Sequence, residues 1–168
     1  NVMNEISAEK WEAVRGMSRG FGYNQNEVPE DYGPPEKFVH LLADVVSKNG
    51  NLLLNVGPRA DGSIPDEQLA ILASLGDWLH VNGEAIFGTR AWRVQTEGDA
   101  VRYTAKDGAV YAICLKWPGT TLTLDAPKPG PGATVTMLGV PDPVASSVDN
   151  GKLVIQVPQL TPDKVPCQ

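Results

Sequence analysis

The fold of this chain is decided by residues 44–58, DVVSKNGNLLLNVGP, which hold the end of one element and the whole of the next. Apolar side chains lead into this stretch at the spacing of one helix face, at positions 38, 41, 42, 45 and 46. Proline is tolerated in a first helical turn, so Pro34-Pro35 predicts the start of that helix, and Asn49-Gly50 predicts a left-handed stop. The run Leu52-Leu53-Leu54 then predicts a strand over residues 51–56 that is covered on both faces.

A second helix is predicted after the polar loop at residues 59–63. It starts at about Pro65-Asp66 and closes at Asn82-Gly83, with one side formed by Leu69, Leu72, Gly76 and Leu79. Helix, buried strand and helix joined by short loops are typical of a parallel α/β unit, and residues 11–23 are expected to supply the preceding strand and its loop. Because sites in such folds follow the carboxyl ends of the strands, a site is expected in three segments, which are residues 21–31, residues 56–66 and the region of Trp11-Glu12.

The composition changes near residue 90, where short alternating segments broken by glycine, proline and aspartate begin. Strands are predicted over residues 101–105, 109–115, 120–124, 134–138 and 153–157. Lys106-Asp107-Gly108 and Asp149-Asn150-Gly151 have the composition of hairpin turns. Short strands at this spacing predict an antiparallel sandwich. The predicted fold class is therefore α/β followed by all-β, with domains over residues 1–90 and 91–168.

Charge and composition argue against several classes of partner. The formal net charge is −6 and the sequence has no basic patch, which argues against a nucleic-acid partner. No segment approaches the roughly 18–20 consecutive apolar residues of a membrane span. No CxxC pair or His/Cys cluster indicates a metal site, and no nucleotide or dinucleotide fingerprint is present. Cys114 and Cys167 neither fix a compartment nor require a disulfide with each other.

The first half is too small to close on itself. A parallel α/β barrel needs about eight strands, whereas residues 1–90 provide two or three. Standing alone, they would expose the edge of a parallel sheet, which invites pairing with another strand. The sequence therefore predicts a partner for this half, either a preceding part of the barrel or another copy of the chain.

These motifs resemble, in the same order, the carboxy-terminal third of the α-L-fucosidases of glycoside hydrolase family 29. The matching segments are Trp11-Glu12, Phe21-Gly22-Tyr23, residues 44–58 and 83–90, and, in the second half, residues 92–94, 109–113, 115–118, 137–139, 158–160 and 165–166. The resemblance implies the last strands and helices of a (β/α)8-like barrel over residues 1–90, followed by a β-sandwich over residues 91–168 that lacks its last strand. It favours a secreted, periplasmic or lysosome-like location over the cytoplasm.

The resemblance also implies an activity. Enzymes of this family remove terminal α-L-fucose from glycans with retention of configuration, and they need neither a metal nor an organic cofactor. The nucleophile is expected upstream of residue 1 and the acid/base upstream of Trp11, so no catalytic residue is assigned to this chain. Glu27, Glu30 and Asp31 rim the expected site, and an acid/base role for one of them competes with the interpretation of a solvated loop.

Phe21 is the leading candidate for substrate contact, because the resemblance places it in the fucose pocket. Fucose carries a methyl group on C5, and an aromatic wall that buries it gains roughly 1 kcal/mol or more. Packing between strand and helix is the alternative role for this ring. Trp11, Glu12 and Asn55 are further candidates for sugar contact, with a buried salt bridge for Glu12 and an architectural role for Asn55 as alternatives.

Two other functions compete with a fucosidase. The chain is either a non-catalytic carbohydrate-binding or assembly module that uses an exposed aromatic platform, for example Trp92 or Trp117, or one piece of a split or proteolysed fucosidase. Burial of both tryptophans would remove the main support for a binding module. In the fucosidase interpretation, Trp92 is expected to be buried where the two halves meet.

Overall fold

The computed structural model describes residues 3–160, and within that range the chain forms two α-helices, eight strands and two short 3-10 helices. The helices are α1, Pro35–Ser47, and α2, Asp66–Asn82, and the 3-10 turns are Pro29–Asp31 and Gly83–Ala85. The strands of the first half are β1, Trp11–Gly16, and β2, Gly50–Asn55. Those of the second half are β3, Arg90–Glu97; β4, Val101–Lys106; β5, Ala109–Cys114; β6, Thr121–Leu124; β7, Ser146–Asp149; and β8, Lys152–Gln156.

The first half is a parallel unit, as its pattern predicts. Strands β1 and β2 pair in parallel with an unbroken register from Trp11 opposite Gly50 to Gly16 opposite Asn55. Helix α1 connects them and ends where Asn49 takes φ 70°, which confirms the left-handed stop at this residue. Met17, Phe38 and Ile71 form a buried cluster between the sheet and the two helices.

Two predicted faces in this half differ from the structure. On the predicted side of α2, Leu72 and Leu79 do pack against buried clusters, but Leu69 is 47% exposed and Gly76 is exposed. The buried residues of this helix are Gln68 and Ile71. The β2 run is covered on one face only, because Leu53 is 43% exposed and lies opposite Val14, which is 40% exposed. Both side chains point away from the helices, so an apolar row on the open face of the two-stranded sheet is left in contact with solvent.

The second half contains two antiparallel sheets of three strands each, in the orders β3-β4-β5 and β6-β8-β7. The hairpin between β4 and β5 turns at Asp107 and Gly108, whose φ values of 51° and 83° are those of a two-residue primed turn, as predicted. The strand predicted over residues 134–138 is wrong, since these residues pair with none of the strands of the two sheets. Residues 134–138 are instead irregular, and the Val144 amide donates to the Val135 carbonyl at 2.8 Å.

A shared core joins these two sheets. Val101 and Tyr103 of β4 pack with Leu124 of β6 and Leu153 of β8. Trp92 packs in this core, with its ring centroid 5.1 Å from that of Tyr103, rather than in the cluster that joins the two halves of the chain. The expectation that Trp92 marks the junction is therefore wrong.

The Glu97 carboxylate stabilises the same core through hydrogen bonds. It accepts hydrogen bonds from the Tyr103 hydroxyl at 2.7 Å and from the backbone amides of Asp125 and Ala126 at 2.6 and 2.9 Å. Burial opposes ionisation of this carboxyl group, but the three donors together hold the pKa of Glu97 below its ordinary value. Burial and the neighbouring carboxylate in turn raise the pKa of Tyr103.

The junction between the halves is made by α1 and the end of α2. Ala43, Ala85, Ile86 and Ile113 form a buried cluster that draws on both halves. On the same helix, the Asp44 carboxylate accepts from Arg102 of β4 at 2.8 Å and from Lys48 at 2.6 Å. These three side chains are between 9% and 16% exposed, so solvent screens the network only weakly.

Two further predictions concern membrane insertion and the cysteines. Within residues 3–160, neither α-helix combines the length and the apolar content needed to cross a membrane. Cys114 is a free thiol, and burial raises its pKa. Its pairing with Cys167 lies outside the described residues.

We expect Asp44→Asn to lower the free energy of unfolding by about 2–3 kcal/mol, because it leaves two partly buried cations without their carboxylate. Urea denaturation of the two proteins measures the difference. The matched control is Asp125→Asn, whose carboxylate is 66% exposed beside Lys128 and should matter little. Equal losses in the two variants would contradict the assignment of Asp44 as the electrostatic link between the halves.

Candidate functional site

The candidate site lies where β1 and β2 end. Parallel pairing brings Gly16 opposite Asn55, so the segments that follow them leave the sheet at the same edge. We call residues 17–24 the first loop and residues 55–59 the second loop. This edge is where binding sites form in parallel α/β folds, and the two loops correspond to segments in which the sequence predicts a site.

The two loops touch at three points. The Asn55 side-chain amide donates to the backbone carbonyl of Phe21 at 2.5 Å. Gly57 lies so close to the first loop that a Cβ atom on it would meet the Tyr23 nitrogen at 2.7 Å and the Gly22 carbonyl carbon at 2.8 Å. The guanidinium of Arg59 sits over the Tyr23 ring, 5.8 Å from its centroid. The first loop therefore packs against the second loop.

Two aromatic side chains of the first loop face solvent. Phe21 is 58% exposed and Tyr23 is 44% exposed. Phe21 belongs to none of the buried clusters within residues 3–160, so its ring is not part of the packing between strand and helix. An exposed aromatic ring beside a strand end can accept the apolar face or the methyl group of a sugar.

A buried hydrogen-bond network supports the second loop from below. The Gly57 amide donates to the side-chain carbonyl of Gln68, which is 4% exposed on α2. The side chains of Gln68 and Glu27 both lie next to the Tyr32 hydroxyl. Burial is the main cause that raises the pKa of Tyr32, with the Glu27 carboxylate adding to it. The Oε2 atom of Glu27 is buried and has no hydrogen-bond partner within residues 3–160.

Three carboxylates follow the first loop, those of Glu27, Glu30 and Asp31, and two of them contact neighbouring residues of the same segment. Asp31 forms an ion pair with Arg19, and its Oδ2 also accepts from the Val28 amide at 3.2 Å. Glu27 points into the network with Tyr32, whereas Glu30 is exposed to solvent. Asp31 and Glu27 therefore contact residues near them in the chain, and Glu30 is the one of the three that faces solvent.

The expectation that Trp11 and Glu12 lie at the carboxyl end of a strand is wrong, because they lie at the amino-terminal end of β1. They begin the strand, about 15 Å along it from the end that leads to Phe21, by the rise per residue of a strand. The Trp11 indole N–H donates to the Lys48 carbonyl at 2.9 Å, and its ring covers Gly50, where a Cβ would meet it at 2.6 Å. Glu12 is exposed opposite Asn51. The structure brings Phe21 and Asn55 together but does not bring Trp11 or Glu12 to them.

A groove of about 670 Å³ runs beside the free edge of β1. Its walls are β1 with the start of the first loop, one side of α1, and two residues of the second half, Arg102 and Leu115. Phe21 is one of the residues that line it. Within the described range, no group of three or more His, Cys, Asp or Glu side chains is arranged to hold a metal ion.

Comparison with known families agrees with the resemblance drawn from the motifs. The model of the family described as alpha-L-fucosidase matches residues 1–84, and that of the alpha-L-fucosidase C-terminal domain matches residues 95–168. The chain belongs to the alpha-L-fucosidase family. Both matches run in the order expected of these enzymes, and together they account for nearly all of its length.

Individual relatives support this assignment. The chain is 39% identical to an alpha-L-fucosidase of Branchiostoma floridae and 38% identical to the human tissue alpha-L-fucosidase, over 97% and 95% of its own length. It covers only 37% and 35% of those two proteins. The crystal structure of Thermotoga maritima alpha-fucosidase in complex with fucose superposes with a TM-score of 0.80 at 39% identity, over 90% of this chain and 37% of that one. The chain thus spans little more than a third of the relatives it matches.

Sequence reasoning missed the residues that hold the two loops together. Gln68 carries no signal in the sequence, because a buried polar residue interrupts the apolar pattern by which the face of a helix is predicted. The contact of Arg59 with Tyr23 and the close approach of Gly57 join segments more than 30 positions apart in the chain. The glycine at the end of the most apolar strand was the one signal available, since a glycine there indicates close backbone approach.

Trp11→Phe should lower the free energy of unfolding by about 1 kcal/mol, because it removes the hydrogen bond to the Lys48 carbonyl while keeping an aromatic ring. Thermal or urea unfolding measures this loss. Trp117→Phe is the matched control, since Trp117 is 49% exposed and should tolerate the same change. If Trp11→Phe is as stable as the unchanged chain, the anchoring role assigned to the indole is incorrect.

Proposed function

We propose that this chain is the carboxy-terminal part of a retaining α-L-fucosidase that releases terminal α-L-fucose from glycans. In this proposal residues 1–90 are the last strands and helices of a (β/α)8-like barrel, and residues 91–168 belong to its β-sandwich domain. The observation that carries the proposal is the exposed ring of Phe21 at the carboxyl ends of two parallel strands, in a chain of this family.

The barrel assignment is supported by the unpaired edge of β1 and by the exposed apolar face of the two-stranded sheet. Strand β1 has one paired edge, toward β2, and its other edge borders the groove. The open face of the sheet carries Val14 and Leu53, both about two-fifths exposed. In a closed barrel this row would face the packed interior, and the free edge of β1 would pair with the preceding strand. The partner proposed for this half is therefore the upstream part of the barrel.

Phe21 is proposed to contact the C5 methyl group of fucose. The ring is held at the site edge by a loop but is not used for packing, so it is available to a ligand. A methyl group buried against it would be removed from water, a gain of roughly 1 kcal/mol. Asn55 lies beside it, whereas the positions of Trp11 and Glu12 at the opposite end of β1 argue against contact with the same sugar. Trp11 instead supports the scaffold through its hydrogen bond to the Lys48 carbonyl.

The chemistry in the complete enzyme is proposed to follow the retaining route. A carboxylate attacks the anomeric carbon to form a glycosyl-enzyme, and a carboxylic acid about 5–5.5 Å away protonates the departing oxygen. Both groups are assigned to polypeptide outside this chain. That assignment is supported by the local use of Asp31 and Glu27 in their own loop, which leaves neither carboxylate directed toward Phe21.

One observation favours the alternative of a carbohydrate-binding module. Trp117 is 49% exposed just after β5, where its ring is accessible to a glycan. Trp92, the other candidate for such a platform, packs against Tyr103 and has the guanidinium of Arg93 over its ring at 4.4 Å. The alternative therefore rests on a single ring, and the fucosidase proposal is preferred because it accounts for both halves of the chain.

Phe21→Ala is expected to weaken α-L-fucoside binding by about 1–2 kcal/mol once an upstream fucosidase segment completes the barrel, because the apolar wall for the methyl group is lost. Binding of α-L-galactosides, which carry a hydroxymethyl group instead, should change much less. Competitive inhibition by the two sugars measures both affinities. Phe87→Ala is the matched control, since Phe87 is 61% exposed and lies after α2, away from the site. Equal losses for both sugars would mark Phe21 as structural.

The 168-residue chain alone is expected not to hydrolyse α-L-fucosides. Covalent retention needs two carboxyl groups held in fixed geometry by a closed scaffold, and an open barrel edge does not provide one. Incubation of mass-verified chain with an aryl α-L-fucoside tests this, and activity should appear when the upstream segment is added.

Turnover by the chain alone at an ordinary glycosidase rate, abolished by changing Glu12, Glu27 or Glu30, would contradict the placement of the catalytic pair outside it. Glycan binding by the inactive chain that disappears in Trp117→Ala would instead support the binding module.

A further inference from the structure

The backbone just before Phe21 is restrained by the close approach of Gly20 to Gly16 and by the ion pair of Arg19 with Asp31, but Phe21 itself is flanked by two glycines. It lies between Gly20 and Gly22, and a Cβ atom on either glycine would meet no atom within 4 Å. Neither glycine has a positive φ, so neither is required by the local backbone conformation. Glycine gives the unfolded and folded chain alike more freedom than any other residue. The Phe21 ring is 58% exposed, so packing does not supply the missing restraint.

The restraint comes from the second loop. Asn55 is the last residue of β2, and its side-chain amide reaches across to the carbonyl of Phe21 itself at 2.5 Å. A hydrogen bond to the backbone of the exposed residue fixes that peptide plane, and with it the direction in which the ring leaves the chain. Because β2 is paired along its full length with β1, the donor is itself on a rigid element.

Two further contacts restrain the residues after Phe21. Gly57 lies against the Gly22–Tyr23 peptide with no room for a Cβ atom, and the Arg59 guanidinium covers the Tyr23 ring. Gly57 is in turn tied by its amide to the buried side chain of Gln68 on α2. A loop made flexible by glycines is thus held against one that is anchored to a strand and a helix.

We propose that Asn55 is a positioning residue that sets the direction of the Phe21 ring, with Arg59 as a second restraint through Tyr23, and that this clamp determines selectivity for 6-deoxy sugars. The inference rests on the proposed role of Phe21 in binding the fucose methyl group. Asn55 contributes through the Phe21 carbonyl, so its effect on binding is expected only when the Phe21 ring is present.

The first test uses the 168-residue chain and needs no activity. Backbone order parameters from ¹⁵N relaxation are measured at Gly20, Phe21 and Gly22. We expect a value near 0.85 in the unchanged chain and below about 0.6 in Asn55→Ala, with a smaller fall in Arg59→Gln. Asn51→Ala is the matched control, because Asn51 is on the same strand and face and is exposed. Unchanged order in both Asn55→Ala and Arg59→Gln would overturn the clamp.

The second test uses the chain completed by an upstream fucosidase segment. The preference in kcat/KM for an α-L-fucoside over the α-L-galactoside should fall about fivefold or more in Asn55→Ala, through KM rather than kcat. In the Phe21→Ala background the same change should have no further effect on this preference, which is the signature of action through Phe21. Additive losses in that double-mutant cycle would overturn the positioning role.

The two tests separate failure of the clamp from failure of the proposed function. A loop that loses order while sugar preference is retained would overturn the role of the clamp in selectivity. If the unchanged completed enzyme does not prefer the fucoside, the proposed function fails, and the order parameters still decide whether Asn55 holds the loop.

Discussion

The parallel pairing of β1 and β2 is the constraint on which the candidate site depends. Its register runs without a break to Gly16 opposite Asn55, so both strands end together and their loops begin as neighbours. A shift by one residue would turn the Asn55 side chain to the opposite face of the sheet and remove its bond to the Phe21 carbonyl. The position of the exposed ring therefore follows from a backbone ladder several residues away, and the loop sequence alone does not determine it.

Support for the site also comes from behind the sheet. Helix α2 contributes Gln68, a buried polar side chain whose carbonyl is satisfied by the Gly57 amide and whose amide group meets Tyr32. Burying an amide costs free energy unless it is hydrogen-bonded, so each partner in this network stabilises the others in place. The loops at the strand ends are thereby ordered from within the fold, while the rings of Phe21 and Tyr23 stay accessible to solvent.

Much of the architecture could be predicted from local signals. Prolines and the Asn49 stop located α1, the apolar run located β2, and Asp107-Gly108 located a hairpin. What failed depended on distant partners. Residues 134–138 have an alternating pattern, yet they pair with no strand of either sheet. Leu53 belongs to an apolar run but is 43% exposed, because such a run does not determine which elements pack on each face of the strand. The membership of Phe21 in a candidate site was readable only through family resemblance, whereas its restraint by Asn55 required coordinates.

Helix α1 belongs to two interiors at once, and this has a consequence for how such enzymes can evolve. Phe38 packs with the sheet of the first half, Ala43 packs with Ile113 of the second, and Asp44 binds Arg102. A recombination event that exchanged either half between distant lineages would replace one side of these contacts and leave the other unmatched. The two halves are therefore expected to be inherited together. A substitution on α1 that alters these contacts is expected to be accompanied by a compensating substitution on β4.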